Sequence, residues 1–201
     1  MTLNECSFNL EIVRHKDDNK QQAICDAAIE LITANGFADT SMSKIAKAAN
    51  VSPATIYVYF ENKEELINKI YLFVKQEMSA EFLRGVGTNL SVAEAFKIIW
   101  DNFYSYALNN PVRFAFTEQF ANSPLVARCK DESISYFKPL LDLFNRGVAE
   151  KIFKEISLEI FIAFTFAPLT GLIKEHFGGV IVLNEKALET TFEIAWDAVT
   201  N

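Results

Sequence analysis

Residues 51–60 read VSPATIYVYF, and the fold turns on whether they form a strand or a helix. The valines, isoleucine and tyrosines favour a strand. Strict alternation, however, would put Val51, Pro53, Thr55, Tyr57 and Tyr59 on one face, a poor strand surface. Read as a helix, Ser52 is a good N-cap, and Pro53 suits the first helical position, where its missing N–H is not needed. Ile56 and Phe60 then share one face, while Ala54, Thr55, Val58 and Tyr59 look away from it. The pattern predicts a short helix over 53–60.

Working outward, Thr40-Ser41 offers a helix start, and SKIAKAAN predicts a helix over 43–49 with Ile45, Ala46 and Ala49 on one side. Asn50-Val51-Ser52 is a tight connection between the two helices. Small residues at 46 and 49 let them approach closely, with Ile45, Val51, Ile56 and Phe60 as their shared core. This is a helix-turn-helix arrangement. Its second helix presents short side chains that can enter a major groove. Upstream, Ala23, Ile24, Ala27, Ala28 and Leu31 repeat at helical spacing from Asp17 to a stop at Asn35-Gly36. Residues 1–16 show no clean period and read as a loose arm. Downstream, Asn62 and Glu65 form a capping-box pattern for a helix reaching Arg84, before Gly85 and Gly87. Further helices are predicted from Ser91, after Asn110-Pro111, from Ser123-Pro124 to about Gly147, from Ser157 to His176 and from Asn184 to the end. The fold class is all-α: a helix-turn-helix domain over 17–62, then a helical domain over 63–201. GGVIVLN is the one strand-like piece, too short to assign.

The run AICDAAIELITANGFADTSMSKIAKAANVSPATIYVYFENKEELINKIYLFV resembles the DNA-binding domain of TetR-family transcriptional repressors over roughly residues 22–75. The resemblance implies a homodimer that binds a pseudo-palindromic double-stranded operator and releases it when a small molecule fills the C-terminal domain. By position, it implies phosphate contacts from Thr40 and Ser41 and places Ser52, Pro53, Ala54 and Thr55 at the start of the recognition helix. It implies backbone contacts from Tyr57 and Tyr59, and a phosphate contact from Lys63. Two positions depart from the family's pattern: Ala54 stands where a glycine is frequent, and Tyr59 where a histidine is common. Hydroxyls and Lys63 suit phosphates, which fix register without reading sequence. Thr55 is expected to be the hydrogen-bonding group on the outward face, whereas Ala54 and Val58 can only pack on apolar surface such as a thymine methyl.

Composition sets the other bounds. The 201 residues are 50% hydrophobic and carry a net charge of −7, enough apolar matter for a buried core and too acidic for a general nucleic-acid coat protein. Residues 14–75 hold eight basic and eight acidic side chains, so the DNA-facing end is less acidic than the rest. Arg14, Lys16 and Lys20 could add phosphate contacts. Cys6, Cys25 and Cys129 are odd in number and far apart, which suggests reduced thiols in a cytoplasmic protein. No secretory signal is visible, and the apolar stretch 160–173 is too short to span a bilayer. No metal-ligand spacing, phosphate loop or catalytic constellation can be defended, so neither a cofactor nor an enzyme is expected.

Within the C-terminal aromatics, Trp100, Tyr104, Phe120 and Tyr136 are the candidate effector-binding residues, because each carries a polar handle or sits between polar residues. Glu118 joins them if it faces a cavity, where it would favour a cationic ligand; otherwise it is a solvated surface charge. Two helices, about 157–177 and 184–200, are the expected dimer surface, through Leu158, Phe161, Ile162, Thr165, Leu169 and Leu172 on one and Phe192, Ala195, Trp196 and Val199 on the other. The competing reading buries these side chains within their own subunit. A second functional class stays open: a helical ligand- or partner-binding protein whose uncharged recognition helix no longer reads an operator.

Overall fold

The computed structural model describes residues 3–87 and 89–201, with side chains from residue 19 on; the side chains of the expected loose arm over 1–16, Arg14 and Lys16 among them, lie outside the described ones. Among the described residues the regular elements are ten helices: α1 (Leu3–Asp39), α2 (Met42–Ala48), α3 (Pro53–Tyr59), α4 (Lys63–Phe82), α5 (Val92–Asn109), α6 (Pro111–Ala121), α7 (Val126–Ser135), α8 (Lys138–Ala149), α9 (Leu158–Phe177) and α10 (Glu185–Val199). A single isolated β-bridge pairs Phe153 with Thr200 among the described residues, and GGVIVLN forms no strand. No described helix is long and apolar enough to cross a membrane.

The chain divides into two compact units. One holds 1–74 and 112–130, the other 75–111 and 131–201, so α4 and α7 each contribute to both. In the first unit the predicted stop at Gly36 is a break in the helix. Its φ of 80° lies in the left-handed region that glycine enters without steric cost. Ile24, Ala28 and Ile32 from α1, Ile45 and Ala46 from α2, Ile56 from α3, and Phe60, Leu66, Ile67 and Ile70 make the buried core of this unit.

In the second unit α5 is central. Ser91 and Glu94 form a full capping box at its start. Val92, Phe96, Ile99, Phe103 and Ala107 are buried at helical spacing. The Phe96 ring lies 5.5–6.0 Å from those of Phe153, Phe161, Phe166, Phe192 and Trp196. Phe153 packs directly on Gly147, where any Cβ would strike its ring.

Several expectations are corrected. The helix predicted from Ser123-Pro124 to Gly147 is two helices, α7 and α8. Pro139 falls in the first turn of α8, the position where its missing N–H and its ring do not disrupt a helix; a continuous helix would have put it in the interior. Asn62 caps α4 by accepting from the Glu65 N–H at 2.9 Å, but the Glu65 carboxylate receives the Glu61 N–H rather than that of Asn62. The helix itself ends at Phe82, short of Arg84. On α9, Phe161, Thr165 and Leu169 are buried in their own chain, as are Ala195 and Val199 on α10. The Thr165 hydroxyl donates to the Phe161 carbonyl at 2.7 Å. Of the other expected α9 residues, Ile162 is exposed and Leu158 and Leu172 are half-buried; the stripe that faces solvent carries Ile160, Phe164, Ala167, Pro168 and Gly171.

Candidate nucleic-acid interface

The helix-turn-helix is built from two capped helices and a left-handed turn. Ser41 caps α2, its hydroxyl accepting from the Lys44 N–H at 3.3 Å. At the far end Asn50 adopts φ 54°, a conformation that asparagine tolerates better than most residues. The Val51 N–H reaches the Ala46 carbonyl at 2.9 Å and the Asn50 N–H reaches that of Lys47 at 3.2 Å. Together these two bonds make a Schellman closure of α2. The chain then passes straight into Ser52, whose hydroxyl caps α3 by accepting from the Thr55 N–H at 3.1 Å. At the other end the Phe60 N–H donates to Ile56 at 3.0 Å, and the Phe60 ring is buried.

These caps fix which side of α3 is outward. Ile56 is buried; Pro53, Ala54, Tyr57 and Val58 are exposed, Val58 to 77%. Thr55 and Tyr59 are half-buried on the flanks. The outward face is therefore rotated by about one residue from the predicted set. Thr55 is not its hydrogen-bonding group: the Thr55 hydroxyl lies 2.9 Å from that of Ser52. The Tyr57 phenol takes that place. Val58, expected on the outward face with Ala54, is there: its position four after Ala54 puts the two on one stripe.

The residues expected at phosphates divide into two kinds. Ser41 and Ser52 are exposed. Thr40 is 1% exposed and donates its hydroxyl to the Gly36 carbonyl at 2.9 Å, so its side chain closes onto the break within α1 rather than facing outward. The Lys63 ammonium donates to the carbonyls of Phe37 at 2.7 Å and Thr40 at 2.9 Å, which leaves one of its three N–H groups for anything else. It ties the start of α4 to the same segment. Lys44 donates to the Asp39 carbonyl at 2.6 Å, while Lys20 and Lys47 are exposed.

The five candidate effector residues fall in different units: Glu118 and Phe120 in the first, Trp100, Tyr104 and Tyr136 in the second. Phe120 is buried and stacks on Tyr71 at 4.0 Å. Trp100 is buried edge-on to Phe192 at 5.4 Å. The Tyr136 hydroxyl donates to Glu132 at 2.8 Å. That of Tyr104 reaches the Leu183 carbonyl at 3.4 Å, and burial pushes its phenol above the ordinary value. An open surface groove of about 570 Å³ in the second unit is lined by Leu90, Ala93, Ile98, Phe192 and Trp196, with Glu94 and Lys97 as its charged members; none of the five lines it. A smaller one of about 280 Å³ in the first unit includes Gln22, Cys25, Lys69 and Phe73. The Cys25 thiol is pushed up to about 11, by burial first and by the neighbouring Asp26 second, so it stays protonated and unreactive. No cluster of three potential metal ligands occurs among the described residues.

Comparisons with known proteins agree with this geometry. The family model described as "Bacterial regulatory proteins, tetR family" matches residues 24–70, and "Tetracyclin repressor-like, C-terminal domain" matches residues 92–200. An HTH-type transcriptional regulator of Haemophilus influenzae is 24% identical over 93% of this chain and 99% of its own length. The fatty acid metabolism regulator protein of Bacillus subtilis is 46% identical, over 26% of this chain and 27% of its own. The crystal structure of a TetR family transcription regulator from Marinobacter aquaeolei superposes with a TM-score of 0.88 at 28% identity, covering 94% of this chain and 99% of that one.

Proposed function

The chain belongs to the TetR family of bacterial transcriptional regulators, a non-enzymatic family, and on that premise we propose that it is a cytoplasmic repressor. It binds a pseudo-palindromic double-stranded operator as a homodimer, and a small-molecule effector in the second unit releases it. The observation that carries this reading is the capped α3 with its outward face of Pro53, Ala54, Tyr57 and Val58. A helix that exposes this face and buries only Ile56 is shaped for a groove rather than for its own core. Ser41 and Ser52 flank it with exposed hydroxyls, which suits backbone contacts that set register.

Dimerisation places two copies of α3 about one helical turn of DNA apart, roughly 34 Å. Ile160, Phe164, Ala167 and Pro168 on α9, with Ile194 on α10, supply an apolar surface for the two-fold contact. The effector acts by favouring a state in which the two recognition helices cannot engage both half-sites. Helix α4 contributes to both units and is the continuous element through which that preference is transmitted.

The test is selection of duplexes from a random library by the purified protein at two salt concentrations. A recovered palindrome whose binding is lost in Tyr57→Ala supports the repressor reading. Binding that is salt-sensitive but sequence-blind favours a helical ligand-binding protein without an operator, for which the absence of charge on α3 is the motivating observation. Once the operator is known, a compound that binds the protein yet leaves operator affinity unchanged is not its effector.

A further inference from the structure

We propose that this protein reads its operator chiefly through thymine methyl groups, with Val58 as the specificity-determining residue; the inference rests on the operator-binding reading above. Within the recognition helix, hydrogen-bonding capacity toward bases is nearly absent. Helix α3, PATIYVY, contains no charged residue. Thr55 is half-buried on the flank of the helix, and its hydroxyl is paired with that of Ser52, which also caps the helix. Of the four exposed positions, only Tyr57 carries a polar group.

The remainder of the face is apolar and well placed. Ala54 and Val58 lie four residues apart and form one stripe of three methyl groups, and Val58 is 77% exposed. Such a surface gains free energy only by leaving water against another apolar surface. Among the base edges of a major groove, the one apolar group is the C5-methyl of thymine. Val58 is rigid at χ1, so its two methyls hold a fixed position without the entropic cost of ordering a long side chain. Val58 therefore prefers a thymine at one position of each half-site, and cytosine, guanine and adenine lack the group it needs.

Deoxyuridine substitution isolates this contact, since uracil differs from thymine by the methyl alone. Each thymine of the selected operator is replaced symmetrically in both half-sites and binding is measured for wild type and Val58→Ala. At one thymine position, wild type loses about 3–4-fold in affinity per half-site, the worth of one methyl taken out of water, and roughly tenfold for both. Val58→Ala binds the thymine and uracil operators at that position within twofold of each other. Unchanged thermal unfolding of the variant shows that the difference is one of recognition. Equal affinity of wild type for thymine and uracil at every position overturns the inference while leaving operator binding standing. So does discrimination that persists in Val58→Ala. Failure to select any sequence overturns the operator reading itself, and this inference with it.

Discussion

Helices α3 and α9 both present apolar side chains to water, on very different scales. Helix α3 exposes two large ones, Tyr57 and Val58, on a seven-residue element capped at both ends. Helix α9 runs for 20 residues, buries Phe161, Thr165, Phe166, Leu169 and Ile173, and still exposes Ile160, Ile162 and Phe164, the last to 56%. A few methyls beside exposed hydroxyls suit a polar, wet partner in which apolar groups are sparse. The apolar stripe of Ile160, Phe164, Ala167 and Pro168 along one side of α9 suits another protein, because exposed apolar stripes of this kind mark interaction surfaces. The two surfaces thus call for two kinds of partner, and substitutions should separate them.

The largest effect is expected from a charge on α9. Phe164→Asp should leave the protein monomeric in sedimentation where wild type forms the proposed dimer, because that dimer would bury two such carboxylates without partners. Operator affinity should fall by about 100-fold or more, since the half-sites then bind separately. Val58→Asp should abolish operator binding and leave sedimentation unchanged. A Phe164→Asp protein that remains dimeric would move the subunit interface away from this face of α9.

The next effects lie in what holds the two surfaces in place. Gly147→Ala drives a Cβ into the Phe153 ring, which packs on Phe161 of α9 at 4.8 Å; overpacking of this kind costs about 1–3 kcal/mol. Asn50→Val forces a β-branched residue into φ 54° at the turn that aims α3, costing about 1–2 kcal/mol, whereas Asn50→Gly should be near neutral. Denaturant titration measures both. If Asn50→Val matches wild type, the turn can close without its left-handed residue.

The same pair of helices explains what was legible in the sequence. The buried side of α3 was readable because Ser52, Pro53, Ile56 and Phe60 each have one sensible role, so the helix, its cap and its inward face all follow from local chemistry. Its outward face was displaced by one residue because Thr55 looks like a base-reading group until its hydroxyl is seen to pair with Ser52. Helix α9 is apolar on nearly every side, and such a helix does not declare which face its own core will claim. Phe161, Thr165 and Leu169 were therefore assigned to a partner although all three are buried in their own chain, Phe161 against Phe96 and Phe153. The break between α7 and α8 was readable from Pro139 and was missed. The burial of Thr40 and the anchoring of Lys63 to Phe37 and Thr40 were not readable, since they depend on how the chain after Gly36 meets the start of α4.

The smallest expected effect contrasts one helix-start carboxylate from each unit. Glu65 is held below the ordinary value of 4.5 mainly by Lys69, then by the Glu61 N–H. Glu94 is held below it by the Ser91 hydroxyl and then the Ser91 N–H. In both, the folded state favours the ionised form. The stabilisation is therefore fully present above the ordinary value and lost as pH falls through the depressed one. The causes differ in kind. An ion pair of an exposed lysine with a half-buried carboxylate at the surface is partly screened by salt, whereas hydrogen bonds from neutral donors are not. Added salt should therefore shrink the effect of Glu65→Gln on the acid limb of stability and leave that of Glu94→Gln in place. Chemical denaturation between pH 3 and 7, at low and high salt, measures both slopes. Equal salt sensitivity of the two variants would mean that the Glu61 N–H, and not Lys69, is what holds Glu65 ionised.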